Sequence, residues 1–334
     1  MASSPFYHLR PNKYIDRHLF VQVLSGLRKK YVIEKYQYIG FGSFMFDDFK
    51  ILHNQLGIVE MISLENDETV YKRALFNKPY RCITIQHVKS SDFIDTFLRE
   101  KNFIFWLDYT NPAELGGQLS EFCSLINNKM ESGDIVRITL NANPGSLDDK
   151  NCTIMEGRSQ TQIYKNRIEK LRERIPDYMP SNIDEHNMSS KKYPLFLLSC
   201  LKKAAMQTLA PSIYQKKYLF PLFSSVYADG QQMLTLTAIV LDCDGDRDKI
   251  KDCLDQYCDY VKFEWNKPCY IEIPELTTKE IIHVNNLLPA NRDLITRIKN
   301  DFSFAFKNNH SIDAAIKSYV DYYKYYPNFH HVNF

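Results

Sequence analysis

The first 140 residues alternate between short apolar runs and longer segments with helical spacing. The apolar runs predict five strands, at residues 36–42, 58–64, 82–88, 103–107 and 134–140. Helical spacing predicts five helices, at residues 12–30, 44–56, 66–76, 90–99 and 115–130. Several strands are apolar on both faces. Strands of this kind, alternating with long helices, are typical of a parallel sheet covered on both sides.

The pattern changes after the fifth strand. Residues 141–217 carry a charged helix near 164–174 and several prolines, which predict a helical insertion. Asp229-Gly230 lies between two apolar stretches, and Asp-Gly is a strong signal for an antiparallel hairpin. Three further helices are expected near 247–257, 278–286 and 311–323, and a short strand is expected at 270–273.

The predicted fold class is therefore α/β, with a doubly wound, mostly parallel sheet, a terminal antiparallel hairpin, a helical insertion and a C-terminal helical extension. We divide the chain into an N-terminal helical segment (1–34), the nucleotide-binding half of the sheet (35–141), the insertion or lid (142–218), the hairpin (219–241) and the extension (242–334). The insertion follows the end of the fifth strand, so we expect it to form a wall or lid over a ligand pocket.

Composition and charge narrow the function classes. Of the 334 residues, 44% are hydrophobic and 25% are charged, which excludes wholesale disorder. The net charge of +2 means that nucleic acid would have to bind through a local patch. No run of 18 apolar residues exists, so we expect a cytoplasmic protein without a membrane partner. Eight scattered cysteines without a C-x-x-C pair predict reduced thiols and no metal site.

Candidate chemistry begins at Gly40-Phe41-Gly42-Ser43, between the first strand and its helix. Glycines let a backbone approach a ligand, and a tight turn that binds nothing is the alternative. The second strand ends in Glu65, at the spacing where doubly wound folds place a carboxylate that accepts bonds from ribose hydroxyls; a surface carboxylate is the alternative. The dinucleotide-binding pattern G-x-G-x-x-G would place a third glycine at position 45, which is Met45, so close packing of the helix on a pyrophosphate is not supported. The sequence also contains no G-x-x-x-x-G-K-[ST] pattern, which excludes the chemistry of P-loop enzymes that hydrolyse ATP.

Two more regions have open interpretations. Residues 158–174 hold six basic residues against two acidic ones, so they form either a solvated helical face or a patch for nucleic acid. Tyrosines 319, 322, 323 and 326 fall on one helical face, which indicates either core packing or a surface that stacks bases. Paired His330 and His331 follow and are expected to be exposed.

A resemblance makes the chemistry more specific. Its strongest part covers residues 38–65, with Gly-Phe-Gly-Ser at 40–43, Phe-Asp-Asp-Phe at 46–49 and Met-Ile-Ser-Leu-Glu at 61–65. Further matches are Ser-Asp-Phe at 91–93, Asp-Tyr at 108–109, Leu-Pro at 288–289 and Tyr-Tyr-Pro at 325–327. The chain thereby resembles a bacterial family of putative O-methyltransferases of the class I, S-adenosylmethionine-dependent type. The likeness spans nearly the whole chain except the insertion.

The resemblance implies S-adenosylmethionine as cofactor and a role for each matching position. The turn from Gly40 through Phe41 and Gly42 to Ser43 would bind the methionine part, and Glu65 would bind the ribose. Adenine would lie against Ser91 or Asp92. Catalysis would fall to Asp108 and Tyr109, which follow the fourth strand and would face the transferable methyl group. For Asp108, capping of the following turn is the alternative.

The chain departs from the family pattern at two places. Tyr38 stands where methyltransferases of this class carry an acid, and Asp47 or Asp48 is a candidate substitute. The sequence Asp-Tyr-Thr-Asn-Pro at 108–112 lacks the D-P-P-Y arrangement of enzymes that methylate base amino groups. Three hypotheses therefore stand: a methyltransferase with an unknown acceptor, a catalytically silent binding or assembly module with the same fold, and an NAD(P)-dependent oxidoreductase.

Overall fold

We describe the protein from a computed structural model, for residues 10–148, 159–210, 217–242, 245–274, 276–289, 294–302 and 312–327. The chain divides into two compact units. The larger unit comprises Phe20–Val226 and Gln231–Cys269. The smaller unit comprises Met1–Leu19, Tyr227–Gly230 and Tyr270–Phe334.

The sheet is mostly parallel and ends in an antiparallel hairpin, as the sequence predicts. The strands in the described residues are β1 (Gln37–Gly40), β2 (Glu60–Glu65), β3 (Ile83–His87), β4 (Phe103–Asp108), β5 (Ile135–Asn141), β6 (Tyr218–Asp229), β7 (Gln231–Leu241) and β8 (Cys269–Ile271). Their order is β3-β2-β1-β4-β5-β7-β6-β8, with parallel pairing from β3 to β5 and antiparallel pairing of β5 with β7. The chain changes direction across the sheet between β1 and β4, where such sheets bind ligands.

Helices connect these strands. In the described residues they are α1 (Pro11–Leu27), α2 (Asp47–Leu56), α3 (Glu68–Asn77), α4 (Ser90–Thr96), α5 (Leu115–Asn128), α6 (Gln160–Arg174), α7 (Tyr193–Thr208), α8 (Gly245–Leu254), α9 (Thr278–Asn285), α10 (Leu294–Asp301) and α11 (Ile312–Tyr322). Helices α6 and α7 form the predicted insertion between β5 and β6.

The predicted fold class is confirmed, and the bounds of several predicted elements are corrected. Helix α2 begins at Asp47 rather than at residue 44, because Ser43 and Phe46 adopt positive φ angles of 48° and 53° that no helix contains. Helix α10 has no counterpart among the elements predicted from the sequence. The hairpin turn is correct, with Gly230 at a φ of 105°. The division into five segments stays a prediction.

The main core of the larger unit lies on one face of the sheet. Five consecutive residues of β4, from Phe103 to Leu107, are buried. On this face α5 packs through Leu119 and Phe122, and α7 of the insertion packs through Leu197 and Leu201. Each such buried side chain stabilises the fold by about 1.5–3 kcal/mol. The insertion is thus part of the same core as the sheet.

Two carboxylates accept hydrogen bonds at the ends of helices and strands. At the edge where β4 and β5 begin, the buried Asp134 accepts bonds from the N–H of Phe103 at 3.0 Å and from Nε of Arg99 at 2.9 Å. In the smaller unit, Asp229 of the hairpin turn accepts the N–H of Lys13 at 2.7 Å and Nδ2 of Asn12 at 2.9 Å. The hairpin turn therefore caps the first turn of α1.

Of the four tyrosines predicted to share a helical face, Tyr319 packs in the core. Tyr319 is buried, its hydroxyl donates to Oδ1 of Asn285 at 2.9 Å, and its ring lies 5.5 Å from that of Tyr326. His330 and His331 lie outside the described residues.

Candidate active site

The glycine turn lies at the edge where the parallel strands end. Gly40 is the last residue of β1 and pairs with Ser63 of β2. The N–H of Gly42 donates to the hydroxyl of Ser63 at 3.1 Å. A Cβ atom on Gly42 would stand 2.7 Å from both Ser63 Oγ and the ring of Phe46. Packing within the protein therefore requires glycine at position 42, whatever ligand the turn binds.

Tyr38 occupies the place where the resemblance expects an acid. It is buried beneath α2, with its ring edge-on to Phe49 at 4.8 Å. Its hydroxyl oxygen would lie 2.7 Å from a Cβ atom on Gly40, so the tyrosine folds back over the end of its own strand. Ser43 and Phe46, which come shortly after this strand in the sequence, adopt left-handed conformations. Strained residues of this kind are concentrated at functional sites.

Glu65 ends β2 and lies level with His87 of β3. Its Oε1 accepts the N–H of Asp67 at 3.0 Å, and Asp67 in turn caps α3 through the N–H of Val70 at 2.9 Å. Burial raises the pKa of Glu65, and the backbone N–H groups of Asp67 and Asn66 partly oppose the rise. A carboxylate has lone pairs for about four donors, so Glu65 retains capacity for ligand hydroxyls.

Asp108 and Tyr109 leave the sheet beside the glycine turn. Asp108 is half-buried at the end of β4 and pairs with Thr139 of β5. The N–H of Tyr109 donates to the carbonyl of Thr139 at 3.2 Å. The ring of Tyr109 lies 5.8 Å from that of Phe41, so β4 and the glycine turn are in contact through these two aromatic side chains.

A carboxylate that sequence reasoning missed holds this tyrosine in place. Glu121 of α5 accepts the hydroxyl of Tyr109 at 2.6 Å and the hydroxyl of Ser90 at 2.6 Å on the same oxygen, Oε2. Burial, and then the charge of Glu121, raise the pKa of Tyr109 well above its ordinary value. Tyr109 is therefore the protonated donor of the pair.

The predicted adenine contacts are less enclosed. Asp92 is exposed, and the hydroxyl of Ser91 donates to its Oδ1 at 3.1 Å. The described contacts tie Ser90, the residue before this pair, to Tyr109 through Glu121. The structure thus brings together Phe41, Tyr109 and the start of α4, and it shows no direct bond between Glu65 and these residues among those described.

The basic segment is partly used within the protein. Arg167 forms a two-pronged pair with Asp148, at 2.8 and 2.7 Å, and Arg174 donates to the carbonyl of Pro112 at 3.0 Å. Pro112 belongs to the loop between β4 and α5, so α6 lies against the loop that follows Asp108 and Tyr109. Arg158 lies outside the described residues.

The described part of the chain has neither a metal-binding cluster nor a membrane-spanning helix. No group of three or more His, Cys, Asp or Glu side chains could hold a metal ion there. No helix in the same residues is both long and apolar enough to cross a membrane.

Comparison with solved structures gives distant similarities. A "putative transferase" from Pyrococcus horikoshii is 11% identical with a TM-score of 0.34, over 63% of this chain and 59% of that one. A "putative O-methyltransferase" from Klebsiella pneumoniae is 10% identical with a TM-score of 0.38, over 72% and 83%. An O-methyltransferase from Bacillus cereus, solved with S-adenosylhomocysteine, is 11% identical with a TM-score of 0.36, over 66% and 79%. Scores this low carry no inference about ligand or reaction.

Family membership rests on the sequence itself. No curated protein matches the chain. A family model described as "Putative O-methyltransferase" matches residues 5–334, which is nearly the whole length. The chain belongs to this "Putative O-methyltransferase" family.

Proposed function

We propose that the protein is an S-adenosylmethionine-dependent methyltransferase that transfers the methyl group to a hydroxyl acceptor. One observation carries the proposal. The glycine turn after β1, Glu65 at the end of β2 and Asp108-Tyr109 at the end of β4 lie on the same edge of the sheet, around the point where the strand order reverses. Membership of the family supports methyl transfer as the reaction.

The side chains at this edge suit S-adenosylmethionine. The half-buried Glu65 carboxylate would accept bonds from the ribose hydroxyls. Gly40 and Gly42 would let the backbone approach the methionine part. The cofactor supplies a methyl group already activated by a positively charged sulfur, so positioning provides most of the rate enhancement. Asp108 would orient the acceptor hydroxyl or take its proton.

Calorimetry with three ligands tests the proposal. We expect S-adenosylmethionine and S-adenosylhomocysteine to bind, and NADH not to bind. Glu65→Ala should weaken both adenosyl ligands, because each hydrogen bond to a charged group is worth about 1.5–3 kcal/mol. Gly42→Val is not a suitable probe, since the clash with Phe46 and Ser63 would perturb folding. Binding of NADH without either adenosyl ligand would favour an oxidoreductase instead.

A catalytically silent binding module is the second candidate, and Tyr38 is the observation that favours it. A buried aromatic ring stands where the resemblance expects a cofactor-binding acid. Radiolabel transfer from a methyl-labelled donor into cell-extract fractions separates the two candidates. Ligand binding without labelling of any fraction would favour the silent module, and labelling would exclude it.

A further inference from the structure

The carboxylate of Glu121 has hydroxyl partners and no cationic one. Both of its bonds come from neutral O–H groups, those of Tyr109 and Ser90. Two other enclosed carboxylates of the larger unit each have an arginine partner: Asp134 pairs with Arg99, and Asp148 pairs with Arg167. Across the described residues, no Lys, Arg or His forms an ion pair with Glu121. Its negative charge is therefore not neutralised by a neighbouring side chain.

The short hydrogen bonds indicate that this charge is present. O–H···O distances of 2.6 Å are typical of a hydroxyl bound to an ionised carboxylate. A half-buried charge is screened less by salt than an exposed one. Its field therefore extends toward the groups on the far side of Tyr109.

Tyr109 connects this charge to the candidate active site. Its hydroxyl bonds Glu121, and its ring contacts Phe41, which lies between the two glycines of the turn. Asp108, the neighbouring residue, ends β4 at the same place. A ligand group beside Phe41 and Tyr109 would therefore lie within reach of the Glu121 charge.

We propose that Glu121 determines specificity by charge, making the site prefer a cationic sulfonium ligand to the corresponding neutral thioether. The inference rests on the proposed function, in which the donor and its product differ by one methyl group and one positive charge. An unneutralised carboxylate attracts the positively charged sulfur of the donor, and it has no such attraction to the neutral sulfur of the product. At separations near 10 Å and an effective dielectric constant of about 20, one such charge changes affinity by on the order of tenfold.

The test compares three ligands by calorimetry. These are S-adenosylmethionine, its ammonium analogue sinefungin, and neutral S-adenosylhomocysteine. Glu121→Gln removes the charge but keeps an oxygen that accepts the two hydroxyls. We expect the variant to lose about tenfold in affinity for the two cationic ligands relative to the neutral one.

Two further variants make the comparison specific. Glu100→Gln removes the same charge from an exposed residue before β4, at the opposite edge of the sheet, and should leave the ratio of affinities unchanged. If Glu121→Gln fails to fold, it is combined with Ser90→Ala and Tyr109→Phe. These two changes remove both hydroxyls that bond Glu121, so no donor is left without an acceptor. The ratio is then compared with that of Ser90→Ala/Tyr109→Phe alone, which keeps the carboxylate.

Each outcome decides something definite. A selective loss of the cationic ligands supports the inference. Equal effects on all three ligands would overturn it while leaving the proposed function intact. Failure of the wild-type protein to bind any of the three would overturn both, and is distinguished from the previous case by the wild-type measurement alone.

Discussion

The carbonyl oxygen of Arg174, the last residue of α6, lies against Gly116 in the first turn of α5, so closely that no side chain fits at position 116. The Arg174 side chain strengthens this contact by bonding the carbonyl of Pro112. The insertion is thereby fixed to the start of the helix that carries Glu121.

Gly116→Ala should therefore displace α6 and destabilise the protein by about 1–3 kcal/mol, the usual cost of overpacking. Gly117→Ala is the matched control, because a Cβ atom there meets nothing within 4 Å. We expect the control to be neutral or to stabilise α5 by up to about 1 kcal/mol. Thermal unfolding measures both, and equal melting temperatures for the two variants would contradict the close contact.

The predicted lid can be tested through the same helix. If the insertion covers the ligand, amide hydrogens of α6 and of the loop at 109–114 should exchange more slowly when S-adenosylhomocysteine is bound. Peptides from α8 (Gly245–Leu254) serve as the internal reference. Protection confined to the glycine turn and β2 would show that the insertion is only a structural addition to the core.

Affinity should depend on pH through Glu65. The ionised carboxylate is the form that accepts ribose hydroxyls without competition, and burial raises its pKa above the ordinary value. Affinity for S-adenosylhomocysteine should therefore be highest above this raised pKa and fall as the pH drops through it. Glu65→Gln should bind more weakly and with a flatter pH profile. Glu60→Gln, at the exposed start of the same strand, is the control and should keep the wild-type profile.

Asp108→Asn should separate catalysis from binding. General-base assistance is worth about 10²–10⁴ in rate, so the variant should retain cofactor affinity while methyl transfer falls. Tyr109→Phe is measured beside it. A role in capping the following turn predicts a different result, namely a lower melting temperature with labelling in proportion to folded protein. Equal labelling by wild type and Asp108→Asn would remove this residue from the mechanism.

The elements that could be predicted are those whose pattern is decided by burial. β4 reads as an unbroken apolar run because the residues from Phe103 to Leu107 are all buried. Helix α10 has a usable signal in the sequence, since Leu294, Ile298 and Phe302 recur every four residues and all are buried. The delayed start of α2 had none, because a left-handed Phe46 leaves no trace in the pattern.

The residues of the candidate site likewise fall into those that the sequence pattern indicates and those that it does not. Gly42 and Glu65 could be proposed because a glycine soon after β1 and an acid at the end of β2 are recognisable in the sequence. Glu121 could not, since it looks like any polar position on an amphipathic helix and its bond to Ser90 joins residues 31 apart. The bacterial origin, the cytoplasmic location and a nucleic-acid partner for the basic segment stay predictions.

The capping of α1 by Asp229 also bears on how the chain folds during synthesis. The bond joins Lys13 to a residue 216 positions later. At about 5–20 residues per second, roughly 10–40 s pass between the synthesis of the helix and that of its cap. Until then the first N–H groups of α1 have only water as a partner in place of Asp229. Completion of the hairpin is therefore the event that can finish the first turn of α1, a helix synthesised long before it.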